Sequence, residues 1–244
     1  MVQNELKNPK IEISKDAVYA GAGRKPCEGI IKIGTTGDYA PVSFLDEKTG
    51  ELSGTDIMFA KNLAEYLGLE PVFVMTSWPS LLDDLEAGKF DIAISGITAS
   101  PERKERALLS AGYKKNGKTI ICRRENARRF AGLSDIDKPE VTVAENRGGT
   151  NEAFAAQQLH NCRLIICDEN AKAHELILNG TADVMITDMI EAKYLAELYD
   201  EIGAPLIGEP FTDDECCVLI GKHCSGMKER IGSFISKQHA AFKE

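Results

Sequence analysis

Along this chain, short apolar runs alternate with longer stretches whose apolar positions fall three and four residues apart, the period of a helix with one buried face. Ile31-Lys32-Ile33-Gly34 predicts a short strand, followed by the loop Thr35 to Pro41. Asp56 opens a helix to Leu67, with Ile57, Ala60, Leu63, Ala64 and Leu67 on one stripe and Gly68 as its stop. Pro71 to Met75 reads as the next strand. Pro79 to Ala87 then reads as a helix started by Pro79 with Gly88 behind it, and Phe90 to Ile94 as a buried strand. Strands and helices in this alternation predict a parallel sheet covered by helices.

The pattern restarts after residue 120, with strands at Val141 to Val143, Arg163 to Cys167 and Asp183 to Ile186, and helices at Thr150 to Leu159 and Ala171 to Leu178. An internal echo accompanies the restart. Leu85-x-x-Gly88-x-x-Asp91-Ile92-Ala93-Ile94-Ser95 matches Ile177-x-x-Gly180-x-x-Asp183-Val184-Met185-Ile186-Thr187 in spacing and type. Helix–glycine–strand units recur in many α/β proteins, which is the plain alternative. Read as a repeat, the echo predicts an α/β chain of two lobes: 29–120, 121–210, and a segment 211–244 returning to the first, after a polar tail 1–28. Ligands of such sheets bind beyond the carboxyl ends of the strands, here in the cleft between lobes.

Composition narrows the function. The 244 residues are 43% hydrophobic and 27% charged, ordinary for a globular protein. With 29 Lys plus Arg against 38 Asp plus Glu, the net charge of −9 argues against a nucleic-acid partner. The basic run Arg123-Arg124 with Arg128-Arg129 is broken by Glu125 and reads as a solvated face. No stretch approaches the ~20 apolar residues of a membrane span. Residues 1–28 hold no continuous apolar segment of signal-peptide type, which leaves open a cytosolic protein or a trimmed leader. Seven cysteines without a C-x-x-C pair do not read as a disulfide framework and mildly favour a reducing compartment. His160, Cys162 and Cys167 lack the usual zinc spacings, so no metal is expected.

Four junctions carry polar groups that can converge on the cleft. In Ser95-Gly96-Ile97-Thr98-Ala99-Ser100-Pro101-Glu102-Arg103, Ser100 is a helix cap and Arg103 falls in the first turn, where the helix dipole disfavours a cation. Arg103 therefore either grips an anion or pairs with Glu102, Glu105 or a nearby acid. Gly148-Gly149-Thr150-Asn151-Glu152 offers amides and a hydroxyl at a helix start, or is an ordinary turn. In Thr187-Asp188-Met189-Ile190-Glu191, the acids either form a capping box or stand at the mouth of the cleft, where a carboxyl group in apolar surroundings can donate a proton. Trp78, the one tryptophan, lies before Pro79 at a strand end, where it either packs in the core or walls the cleft beside Thr36 and Asp38 of the Thr35–Pro41 loop.

Together these junctions resemble the type II periplasmic solute-binding fold, specifically the polar amino-acid-binding proteins, over about residues 29–235. The resemblance implies that Thr98 and Arg103 hold a ligand carboxylate, that Thr150 and Asn151 help from the second lobe, and that Asp188 takes an α-ammonium. Five segments resemble more closely the cyclohexadienyl dehydratase family: Thr35 to Tyr39, Thr76 to Pro79, Gly117 to Thr119, Gly148 to Glu152 and Thr187 to Ala192. Membership would imply conversion of prephenate to phenylpyruvate, or arogenate to phenylalanine, without a cofactor. Glu191 would be the general acid, with Thr36, Asp38, Trp78 and Gly149 also at the substrate. A protonated Glu191 beside apolar groups would supply the proton for the departing hydroxyl. The alternative is a non-catalytic amino-acid-binding protein of a transport system. Relatives of either kind are exported, which implies the periplasm.

Overall fold

The computed structural model describes residues 29–241; the tail 1–28, with Cys27, lies outside the described residues. Two five-stranded sheets dominate. The first runs in the order Glu70–Met75, Ile30–Thr35, Ile92–Ala93, Leu219–Ile220, Leu108–Leu109. The second runs Arg163–Cys167, Thr142–Asn146, Val184–Asp188, Lys118–Arg123, Ile202–Gly203. In each sheet the first three strands are parallel and the fourth is antiparallel to the third. The α/β expectation therefore holds, with antiparallel strands added to the parallel core.

The helix Thr55–Leu67 buries Ile57, Ala60, Leu63, Ala64 and Leu67 and ends at Gly68, whose φ of 69° lets its N–H reach back to Ala64 and Glu65. The second sheet is apolar on both sides because its strands alternate. Val143, Val184, Ile120 and Ile186 pack on one face, and Ala144, Met185 and Ile121 on the other. Cys162 and Cys167 fall in these two separate cores, so His160, Cys162 and Cys167 do not converge.

The sequence echo has a physical counterpart. Asp91 accepts the Lys32 N–H at 2.8 Å and donates its own N–H to the Lys32 carbonyl at 2.9 Å. Asp183 does the same to Thr142 at 2.9 and 2.8 Å. Gly88 and Gly180 precede them with φ of 69° and 75°. Each lobe thus ties its third parallel strand to the start of its first with the same pair of bonds.

One expected helix is shorter than the sequence suggested. It spans Leu81–Glu86, with Ser80 at its N-cap position and Pro79 in the preceding turn. Pro79 is held instead against the second lobe. A Cβ on Gly148, itself at φ 80°, would lie 2.6 Å from the Pro79 nitrogen, so only glycine permits this approach.

Candidate functional site

The carboxyl ends of the parallel strands in both sheets face a common cavity. From the first lobe it is lined by Tyr39, Trp78, Gly96, Thr98 and Arg103, and from the second by Asn146, Gly149, Thr150, Asn151, Asn170 and Asp188. Among the described residues no helix is long and apolar enough to cross a membrane.

Arg103 stands where the sequence put it, in the first turn of the helix Pro101–Arg106, with the Ser100 hydroxyl accepting its N–H. Its side chain is 5% exposed, donates to the Thr98 carbonyl at 2.6 Å and lies 5.9 Å over the Trp78 ring. Among the described residues no carboxylate pairs with it, because the local acids Asp83, Glu86 and Glu102 all engage Arg106. Burial lowers the Arg103 pKa, yet guanidinium stays charged. A buried cation with spare donors and no carboxylate at ion-pair distance has the chemistry to take an anion. Thr98 Oγ1 and Asn151 Oδ1, both buried and without a hydrogen-bond partner, belong to residues that line the same cavity.

Asp188 departs from the capping-box alternative. It occupies the N-cap position of the helix Met189–Leu198 but makes no side-chain cap bond. The antiparallel register sets it opposite Lys118, whose Nζ donates to Oδ1 at 3.0 Å and to Thr150 Oγ1 at 2.9 Å. Tyr39 of the first lobe donates to Oδ2 at 2.9 Å. Burial, then Asp188 itself, pushes the Tyr39 phenol well above its ordinary value, which keeps it a donor. Gly96, at φ 64°, gives that ring room: a Cβ there would lie 2.5 Å from it. The Gly-Gly turn is capped by its own glutamate, with Gly148 N–H donating to Glu152 at 2.6 Å.

Glu191 is 1% exposed and is not among the cavity-lining residues. Nor are its surroundings apolar, as the sequence had suggested. Asn170 Nδ2 donates to Oε1 at 2.6 Å, and the Thr187 hydroxyl donates to Oε2. His174 Nε2 lies 3.2 Å from Oε1, an ion-pair distance without hydrogen-bond alignment. The cause is helical spacing. Asn170 and His174, four residues apart on one helix face, meet Thr187 and Glu191, four apart across the next strand–helix junction. Asn170 also donates to the Asp38 carbonyl at 3.4 Å, and it lines the cavity where Glu191 does not.

Of the other sequence candidates, Trp78, Gly149 and Thr150 line the cavity; Thr36 and Asp38 do not. Thr36 is tied up with Ser95, its Oγ1 at 2.9 Å from the serine hydroxyl, and backs Asp38. The Asp38 pKa is raised, chiefly by burial and further by Glu191, against hydrogen bonds from Thr36 and Trp78. Tyr39, Lys118, Asn146, Asn170 and His174 were not singled out as site residues from sequence. Tyr39 and Lys118 lie within two of the five family-like segments, which was the one signal for them in the sequence. Apart from the cleft, Asp91, His223 and Cys224 bring ligand atoms within 4.8 Å of one another, at the amino end of the strand Ile92–Ala93.

Residues 31–240 match the family model for bacterial extracellular solute-binding proteins, family 3. The chain is 41% identical over 192 residues to the cyclohexadienyl dehydratase of Pseudomonas aeruginosa, covering 79% of this chain and 71% of that one. Its structure is similar to an ancestral amino acid-binding protein described as a precursor of cyclohexadienyl dehydratase, with a TM-score of 0.80, 33% identity, and coverage of 87% and 90%. An ancestral cyclohexadienyl dehydratase is 40% identical, with a TM-score of 0.51 and coverage of 88% and 90%.

Proposed function

The chain belongs to the bacterial extracellular solute-binding proteins, family 3, and from that premise we propose that it is a cyclohexadienyl dehydratase acting on prephenate or arogenate outside the cytoplasm. The observation that carries the reading is Glu191. It is a buried carboxyl group directly behind the cavity-lining Asn170, with an imidazole nitrogen 3.2 Å away, and a dehydratase needs an acid within reach of its cleft.

The reaction breaks a ring C–O bond and the C–C bond to a ring carboxylate together, releasing water and CO₂, and aromatisation drives it. Arg103 holds a carboxylate of the substrate, Thr98, Thr150 and Asn151 orient it, and Trp78 walls the ring. Glu191 protonates the departing hydroxyl after the Asn170 amide turns aside from Oε1. No cofactor enters this scheme.

Glu191→Gln keeps the shape and the Asn170 contact. We expect kcat for phenylpyruvate formation to fall by about 10²–10⁴-fold with binding of phenylpyruvate near normal. Wild-type turnover in that variant would end the assignment of Glu191. A second reading, capture of an amino acid for transport, is favoured by one feature: Asn170, and not Glu191, faces the cavity. Against it, both oxygens of Asp188 are engaged by Lys118 and Tyr39, so an α-ammonium would have to displace a partner. Tight binding of a standard amino acid without prephenate turnover would establish this second reading.

A further inference from the structure

Dehydration consumes one proton in every turnover. The C–O electron pair leaves on oxygen, the pair from the ring–carboxylate bond becomes a ring π bond, and the hydroxyl departs as water with the proton of Glu191. The glutamate is left a carboxylate, and the next cycle requires a proton returned to it. On the cavity side Glu191 meets Asn170, which lines the cavity where Glu191 does not.

The route is narrowed by what touches Glu191. Thr187 is 0% exposed and Asn170 3% exposed, so neither reaches water, and an amide is a poor carrier of a proton. The His174 side chain is 15% exposed and its Nε2 lies 3.2 Å from Glu191 Oε1. The charged groups that face His174 are Glu191, from the helix Met189–Leu198, and Asp38, from the strand Asp38–Tyr39. Burial works against the imidazolium, but these two carboxylates outweigh it and hold the histidine above its ordinary value. His174 is thus a neighbour of Glu191 that can hold and pass a proton.

We propose that His174 relays a solvent proton to Glu191 after each dehydration. The imidazolium passes its Nε2 proton to Oε1, and a turn of the ring presents Nε2 to water for reprotonation. His174 touches no reacting atom and acts only through Glu191. The proposal rests on the dehydratase reading given above.

The test is prephenate turnover by the wild type, His174→Gln and His174→Ala from mildly acid to alkaline pH, with and without added imidazole. Glutamine keeps a donor beside Glu191 but cannot carry the proton. We expect its kcat to fall about 10- to 100-fold with KM moved less than about twofold. Added imidazole should restore kcat in proportion to its protonated concentration, most fully in the alanine variant, which has space for it. Thermal midpoints identify a variant that has lost its fold. A loss that imidazole does not rescue, with the wild-type pH profile, would make His174 structural and overturn the relay. Wild-type kcat in His174→Gln at every pH and buffer concentration would overturn it as well. Absence of turnover by the wild type itself would overturn the dehydratase reading, and the relay with it.

Discussion

Replacing Lys118 by methionine keeps the length of the side chain and removes its charge from a place where water cannot substitute for it. The Lys118 and Asp188 side chains are 4% and 7% exposed and sit 3.0 Å apart. Removing one member of such a buried pair leaves an uncompensated charge, which costs about 3–5 kcal/mol. The Tyr39 hydroxyl remains on Oδ2 as a partial partner, so the lower end of about 3 kcal/mol applies. For a chain of this size, that is a fall in Tm of about 6–12 °C. Urea and thermal unfolding measure it, and the loss should be the same at low and high salt, since a buried pair is little screened. Adding Asp188→Asn removes the stranded charge while keeping an acceptor for Tyr39, and should recover most of the loss. A Lys118→Met protein within about 1 kcal/mol of the wild type would mean that the pair is hydrated and worth no more than a surface bridge. Recovery absent from the double variant would refute the electrostatic origin of the effect.

Two further outcomes follow from the same geometry. Arg103→Lys keeps the charge but loses the planar fork, and should weaken binding of phenylpyruvate by about tenfold or more, read by calorimetry. Glu145 is fully buried, accepts the Ile186 N–H at 2.9 Å, and leaves Oε2 without a partner. Burial raises its pKa well above the ordinary 4.5, against the Ile186 bond and Lys118. The folded state then binds this proton more tightly than the unfolded one, so the group lowers stability as pH rises from its unfolded value towards the raised one. Glu145→Gln keeps the acceptor for Ile186 and removes the titration. Its stability relative to the wild type should grow with pH across that window, and a pH-independent difference would refute the assignment.

Much of the scaffold was legible because local signals agreed with the tertiary structure. The stripe from Ile57 to Leu67 and the stop at Gly68 describe one helix face whatever lies opposite, and the strand Arg163–Cys167 matches its apolar run. The site was legible only where a residue carried its own anomaly. Arg103 did, as a cation in a first helical turn. Asn170 and His174 did not, since each sits in an ordinary amphipathic helix and gains its meaning from Glu191, a residue of the following helix. The helix starts at Asn170, one residue before the start its sequence predicts, so no helical pattern marks that asparagine. Tyr39 and Lys118 depend on register and on the approach of the two lobes, which no local window contains. The apolar setting expected for Glu191 failed for the same reason: its donors come from elsewhere in the chain.

The order in which the two sheets can be completed follows from where Leu219–Ile220 is inserted. This strand lies between Ile92–Ala93 and Leu108–Leu109 in the first sheet, and among the described residues Leu108–Leu109 pairs with it alone. The second sheet is drawn entirely from residues between Lys118 and Gly203. A chain emerging from the ribosome therefore carries every strand of its second sheet before its first can close, and residues 108–109 wait with an open edge until residue 220 has been made. The half of the molecule that begins first is the half that finishes last, and it is the half that carries Arg103.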